Sequence, residues 1–347
     1  MSKLFLVLFL ALTPTAFATI WYVDGVNGND SNDCKTRTTA CKTMGHAISL
    51  ASSGDTIGVG PATYTENLTI AISLTLIGSG ASTTVIDGRH GGVVVTVNPK
   101  AKVSLSKFTI RNGYAYISGG IYNIGTLRIN QCSIVRNTAY SVQGFAGIGG
   151  GITNGGTLTI NNSTLSGNSA PFRGGGIYNF GALTISNTTI SGNASDFGGA
   201  TYTQGNLTIN NSTLSGNSTG SRGRAIETSG AIVTFQNSIV ANSSSLGNCI
   251  GTMTSKGYNL SSDTTCNFSG PGDLNNTNPR LGTLGNYGGP TQTIPLLSGS
   301  PAIDAGNPNG CADGNGHLLK TDQRGAPRPD KEDTGGCDMG AFERQSD

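Results

Sequence analysis

Five stretches of the chain align without gaps: GIYNIGTLRINQCSIVRN (120–137), GITNGGTLTINNSTLSGN (151–168), GIYNFGALTISNTTISGN (176–193), ATYTQGNLTINNSTLSGN (200–217) and AIETSGAIVTFQNSIVAN (225–242). Gly125, Gly156, Gly181, Gly205 and Gly230 mark one position, and extra residues around 139–149 lengthen one step. A fainter copy, AKVSLSKFTIRNG, occupies 101–113. Within each copy, Leu158-Thr159-Ile160 and its equivalents alternate apolar and polar, the period of a half-buried strand. After a polar corner comes Leu165, with equivalents Ile134, Ile190, Leu214 and Ile239. A unit of about 24 residues with three short strands cannot bury its own apolar face, but stacked units can. This predicts a parallel β-helix of about eight to nine coils, roughly 40 Å long at the strand spacing.

Composition agrees. Gly (53), Asn (32), Ser (35) and Thr (42) make up nearly half of the 347 residues, and only 12% are charged. These are turn and strand residues and weak helix formers, so an all-helical protein or coiled coil is excluded. The regular aliphatic bursts and few prolines argue against disorder. Asn137, Asn168, Asn193, Asn217 and Asn242 fall at one repeat position. Asn tolerates a left-handed corner, and stacked amides can bond along a column. N-glycosylation is the weaker reading, because Asn137 and Asn168 lack the sequon that Asn193, Asn217 and Asn242 carry. The residues 43–51 place Met44, Ala47, Ile48 and Ala51 at helical spacing behind Thr43, predicting a short helix that caps one end.

At the N-terminus, Lys3, the apolar run Leu4 to Leu12 and Ala16-Phe17-Ala18 read as a signal peptide over 1–18. The run is too short to span a bilayer, and no later stretch is apolar enough. Export permits disulfides. Spacing suggests Cys34–Cys41, Cys249–Cys266 and Cys311–Cys337, with Cys132 left as a buried thiol, although spacing alone does not fix the connectivity. A zinc site is disfavoured, since only His46, His90 and His317 are available.

Residues 21–70 resemble the N-terminal part of pectate-lyase-like right-handed β-helix proteins, through Tyr22-Val23, the loop 24–33, Lys42-Thr43, Ala47-Ile48, Gly54-Asp55-Thr56-Ile57, Tyr64 and Glu66. GGIY at 119–122 and 175–178, and GGIT at 150–153, resemble polymorphic outer-membrane-protein repeats. The C-terminal part resembles the choice-of-anchor Q domain of bacterial surface proteins. Its motif here comprises Gly299-Ser300-Pro301-Ala302-Ile303-Asp304-Ala305-Gly306, Asp322-Gln323-Arg324-Gly325, Arg328-Pro329 and Asp338-Met339-Gly340-Ala341-Phe342-Glu343. The resemblances imply an all-β, single-stranded right-handed parallel β-helix over 55–268. An N-terminal loop and cap (19–54) precedes it, and an irregular choice-of-anchor Q-like segment (269–347) follows. They imply a bacterial protein, exported to the cell surface or the medium. Only four residues follow Glu343, so free secretion is the expectation.

Pectate lyases use calcium held by several carboxylates, and calcium takes six to eight oxygens. Residues 89–262 contain only two carboxylates, Asp196 and Glu227, so neither a coil-face calcium site nor the carboxylate pair of a glycosidase is expected there. No catalytic residue, metal or cofactor is assigned. The Asp/Asn-rich loops 24–33 and 307–315 are read as Asx turns. Asp322, Arg324, Arg328 and Asp338 are read as a structural polar network. The same 89–262 region carries 11 Lys/Arg, whereas 263–347 carries 6 against 11 Asp/Glu. A basic rod attracts anionic polymers, while export and the lack of a dense basic run disfavour nucleic acid.

Tyr122, Thr153, Tyr178, Tyr202 and Glu227 share one outward repeat position, expected to form one exposed column. Tyr114, Tyr116, Tyr140, Phe145, Phe172 and Phe197 lie in the adjacent turns. Flat rings with polar tips suit the faces of sugars. Tyr122, Tyr178, Tyr202 and Glu227 are therefore the candidate ligand residues of a non-catalytic, polysaccharide-binding protein. A polysaccharide lyase or glycoside hydrolase is the alternative.

Overall fold

A computed structural model describes residues 18–142, 147–219, 224–243, 246–313, 316–331 and 336–346. The signal-peptide residues before Ala18, the turn aromatic Phe145 and Asn315 lie outside the described residues. The chain winds as a right-handed parallel β-helix of about eight coils, in which every strand pairing between successive coils is parallel. Each coil presents three faces. The first is a short strand such as Ile177–Asn179, the second a longer one such as Ala182–Ser186, the third a short one such as Thr189–Ser191. Second-face rungs run from Thr56–Val59 to Cys249–Ser255, and third-face rungs from Ala62–Tyr64 to Leu260–Ser261.

Register explains the core. Leu127, Leu158, Leu183, Leu207 and Val233 stack on the second face, and Ile110, Ile134, Leu165, Ile190, Leu214 and Val240 on the third. All are buried in one continuous cluster. The corner between first and second faces is so tight that a Cβ on Gly156 would meet the backbone oxygen of Gly125, and one on Gly181 that of Gly156.

The Asn column forms as an amide ladder. The Nδ2 groups of Asn137, Asn168 and Asn193 donate to the next Oδ1 up the column, ending at Asn217, at 2.9–3.0 Å. Its members are fully buried and not left-handed. The left-handed corner residues are the ones before them, Arg136, Gly167, Gly192 and Gly216. Asn242 is not a rung. In the fifth copy the third face is offset by one residue, with Ile239 opposite Thr213 and Val240 opposite Leu214. The offset enters within the strand Ile226–Gln236, since Ile226 pairs Thr201 but Val233 pairs Leu207. Asn242 therefore takes the Gly216 position, exposed and left-handed at φ 53°. Val240, not Ile239, fills the core column.

Two further ladders run alongside. Asn123, Asn154 and Asn179 bond in series to Thr203 inside the first face. Asn130, Asn162 and Asn187 form another at the corner between second and third faces.

At the N-terminal end, Ile20–Val23 adds a second-face rung beside Thr56–Val59. The helix Met44–Leu50 covers the open end, burying Met44 and Ala47. Thr43 caps it, and the Glu66 carboxylate accepts the N–H groups of Met44 and Gly45 at 2.9 and 2.7 Å. Disulfides join Cys34–Cys41, Cys249–Cys266 and Cys311–Cys337. Cys132 is a buried free thiol, its pKa pushed up to about 12 by burial.

The C-terminal segment has no regular strand or helix among its described residues. It folds back along the outside of the third face. Thr164 donates to the Gln292 carbonyl, Thr189 to the Gln323 side chain, and the Ala341 N–H donates to Thr213. Ile239, Ala241 and Leu260, outward on the rod, join Leu296, Ala302 and Met339 of the segment in a second core.

Candidate functional site

With the third face covered over these coils, a ligand is left the first and second faces. On the first, strand pairing aligns Tyr122, Thr153, Tyr178, Tyr202 and Glu227 in one outward column. The rings of Tyr178 and Tyr202 stack at 5.7 Å with planes 13° apart. Alternation predicts one exposed column, and the structure does not show it uniformly exposed. Tyr122 and Tyr178 are half-buried, but Thr153 is buried and Tyr202 is only 4% exposed. The reason is Arg173, in the turn ahead of the Tyr178 strand. Its guanidinium carbon lies 4.6 Å from the centre of the Tyr202 ring and 4.4 Å from that of Phe172. A cation over an aromatic face is attracted by the ring quadrupole. The Tyr178 hydroxyl donates to Gln204 at 2.7 Å, and Phe180 stands beside it, largely exposed.

Glu227 follows Tyr202 in the column, with the exposed Ile250 in register beyond it, and is half-buried near Arg173 and Arg224. Burial raises its pKa, against the pull of both guanidiniums. No hydrogen bond or ion pair joins it to another described residue. The Nε atoms of Arg173 and Arg224 are buried and likewise unpartnered among the described residues. Burial also raises the Tyr178 pKa, opposed by Arg173. Sequence reading missed both arginines, although Arg173 occupies the same turn as the aromatics. Those turn aromatics form two further pairs: Tyr114 stacks on Tyr140 at 4.6 Å, and Phe172 meets Phe197 edge-on at 5.5 Å. Asp196 is exposed beside Phe197. The arrangement offers ring faces, two cations and one carboxylate with a raised pKa.

Elsewhere, polar clusters are consumed by structure. Asp24 accepts the N–H groups of Val26 and Asn27, and Asp30 those of Lys42 and Thr43. Among the described residues one group has metal-ligand geometry, Cys34, Cys41 and His46, and its two cysteines are bonded to each other. The C-terminal motif residues form a buried network. Arg328 donates to Glu343 at 2.7 Å with both side chains inaccessible, and also to Asn187 of the rod and the Gly340 carbonyl. Arg324 pairs with Asp322 and lies over Phe342.

The chain is similar in fold to the crystal structure of pectate lyase Pel9A, with a TM-score of 0.56 at 16% identity, covering 95% of this chain and 97% of that one. Pectin methylesterase from carrot superposes less well, with a TM-score of 0.47 at 11% identity over 75% of this chain and 84% of that one. At such identities the likeness is one of fold. No known protein-family profile and no curated protein matches the sequence.

Proposed function

We propose that the protein is an exported, cell-surface or extracellular β-helix that binds an extended glycan along its first face without turning it over. One observation carries this: the accessible rings of Tyr122 and Tyr178 on one outward column, with Tyr178 backed by the Tyr202 ring that Arg173 covers, and with Glu227 in the same column. Accessible rings offer flat apolar area to sugar faces, and their hydroxyls and Arg173 offer directional polar contacts. The three disulfides fit an oxidising compartment. The choice-of-anchor Q-like reading of 269–347, which the burial of its motif residues Asp322, Arg328, Asp338 and Glu343 supports, and the outer-membrane-repeat reading of the coils belong to the same proposal.

Because Tyr202 lies under Arg173, the test rests on the accessible rings. A glycan screen should find a polysaccharide ligand, and Tyr122→Ala with Tyr178→Ala should abolish its binding while leaving the melting temperature nearly unchanged. Unaltered binding in that double variant would refute the site. Incubation with polyuronates, with and without calcium, checks the non-catalytic part: growth of the ultraviolet absorbance of an unsaturated product would establish a lyase instead.

A further inference from the structure

A cavity of about 560 Å³ lies on the outside of the second face at the N-terminal end, away from the aromatic column. Strand pairing sets Tyr22, Gly58 and Ile77 side by side, with Ile20 and Thr56 in the next outward row. Gly58 leaves a gap between its neighbours. A Cβ built there comes no closer than 3.9 Å to the Tyr22 ring or to any other group. The gap is therefore open space, not a site of close backbone approach. Around it stand apolar groups left uncovered, Ile20 at 50% and Ile77 at 39% exposure. Volumes of this size, apolar with a few polar groups, are those of small-ligand sites.

The rim is charged. Arg37 comes from the loop closed by the Cys34–Cys41 disulfide, and Lys107 from the corner two coils on, where the backbone is left-handed at φ 64°. Both are exposed, and neither forms an ion pair among the described residues. The one carboxylate in the wall, Asp24, already accepts the N–H groups of Val26 and Asn27 and the Asn27 amide. Two uncommitted cations above an apolar floor, opposed by one hydrogen-bonded anion, complement a ligand with a flat apolar body and a negative end.

We infer that this cavity binds a small ring-bearing organic anion, its ring over Gly58 between Tyr22 and Ile77 and its carboxylate or sulfonate between Arg37 and Lys107.

Sodium 2-naphthoate serves as probe, with the neutral 2-naphthalenemethanol beside it, by calorimetric titration of the purified protein. Naphthoate should bind one molecule per chain, more tightly than the alcohol, and more weakly as salt is added. Gly58→Leu should fill the floor and weaken both compounds by about tenfold or more. Arg37→Gln with Lys107→Gln should reduce naphthoate to the affinity of the alcohol and leave the alcohol unchanged. Trp21, the only tryptophan, reports through its emission that Gly58→Leu remains folded. Lack of naphthoate binding at millimolar concentration, equal affinity for the two compounds, or indifference to Gly58→Leu in the folded variant would each overturn the inference.

Discussion

At Thr201 the first-face core column loses its aliphatic side chain: Thr201 sits in register between Ile177 and Ile226, fully buried, and its hydroxyl has no partner among the described residues. An unpaired buried hydroxyl costs about 1–3 kcal/mol. Thr201→Val keeps the shape and removes the orphan, so denaturant melts should show a gain of about 1 kcal/mol. A loss would mean that the hydroxyl is satisfied. The opposite result is expected at Gly181, where an added Cβ meets the backbone of the preceding coil. Gly181→Ala should cost about 2 kcal/mol or more, because two backbones must separate. That glycine column was legible in the sequence, since a repeated Gly at a corner signals close approach. Burial of Tyr202 was not, because alternation says which way a side chain leaves the strand and nothing about what crosses above it. Arg173 covers Tyr202 from a turn whose length and path vary between coils.

Between elements, what decides the architecture is register, and register is where a gapless alignment fails. The extra residue in Ile226–Gln236 moves the next strand by one, which exchanges inside for outside, because strand side chains alternate with period 2. Ile239 leaves the interior for the second core under Met339 and Leu296, and Asn242 takes a left-handed corner. Replacement by glycine separates the two kinds of Asn. Asn242→Gly, at the position of Gly216, should change stability by no more than about 0.5 kcal/mol. Asn168→Gly breaks the buried ladder on both sides: the backbone N–H of Asn137 and one proton of its amide lose their acceptor, the Ile134 carbonyl and the Asn193 oxygen each lose a donor, and the change should cost about 3 kcal/mol or more. Comparable losses for the two variants would contradict the offset. The sequence carried the alternation, the helix at Met44–Leu50 and its Thr43 cap, because those are local signals. It also carried the Asn123, Asn154 and Asn179 ladder, unread, since the same repeats that gave one Asn column contain the other. The offset itself has no local signature: Val240 and Ile239 are both aliphatic, and either could face inward.

Over the whole molecule, the segment from 269 onward closes the third face and is held by carboxylates that burial opposes. Glu343 is raised to about 7 and Asp338 to about 6, in each case first by burial, with Arg328 pulling the other way. Both acids have folded pKa values above their ordinary 4.5 and 3.8, so the folded chain holds more protons than the unfolded one between those limits. Stability from these groups is complete below their ordinary values and declines as pH rises toward 6 and 7. The aspartates of the rod act in reverse. Burial raises Asp55 and Asp87, but hydrogen bonds outweigh it. Asp55 accepts from Trp21, Ser52 and Thr19, and Asp87 from Arg89, Asn112 and Arg111, whose charge adds to the effect, leaving both below 3.8. Their contribution is present above that value and is lost as pH falls below it. The two sets predict a melting temperature that falls in strong acid and also declines from about pH 4.5 towards pH 7. Glu343→Gln keeps the shape and a hydrogen-bond acceptor for Arg328 but cannot titrate, so it should remove the Glu343 share of the neutral-side decline, most clearly between about pH 6 and 7, and leave the Asp338 share and the acid side. Arg328→Met, by contrast, removes the cation paired with Glu343 and its bonds to Asn187 and Gly340, and should loosen the segment from the rod at a cost of about 3–5 kcal/mol. Limited proteolysis would detect this as cleavage within 269–347 while the coils persist. If the Glu343→Gln profile kept the neutral slope of the parent up to pH 7, the raised Glu343 carboxylate would not be its source.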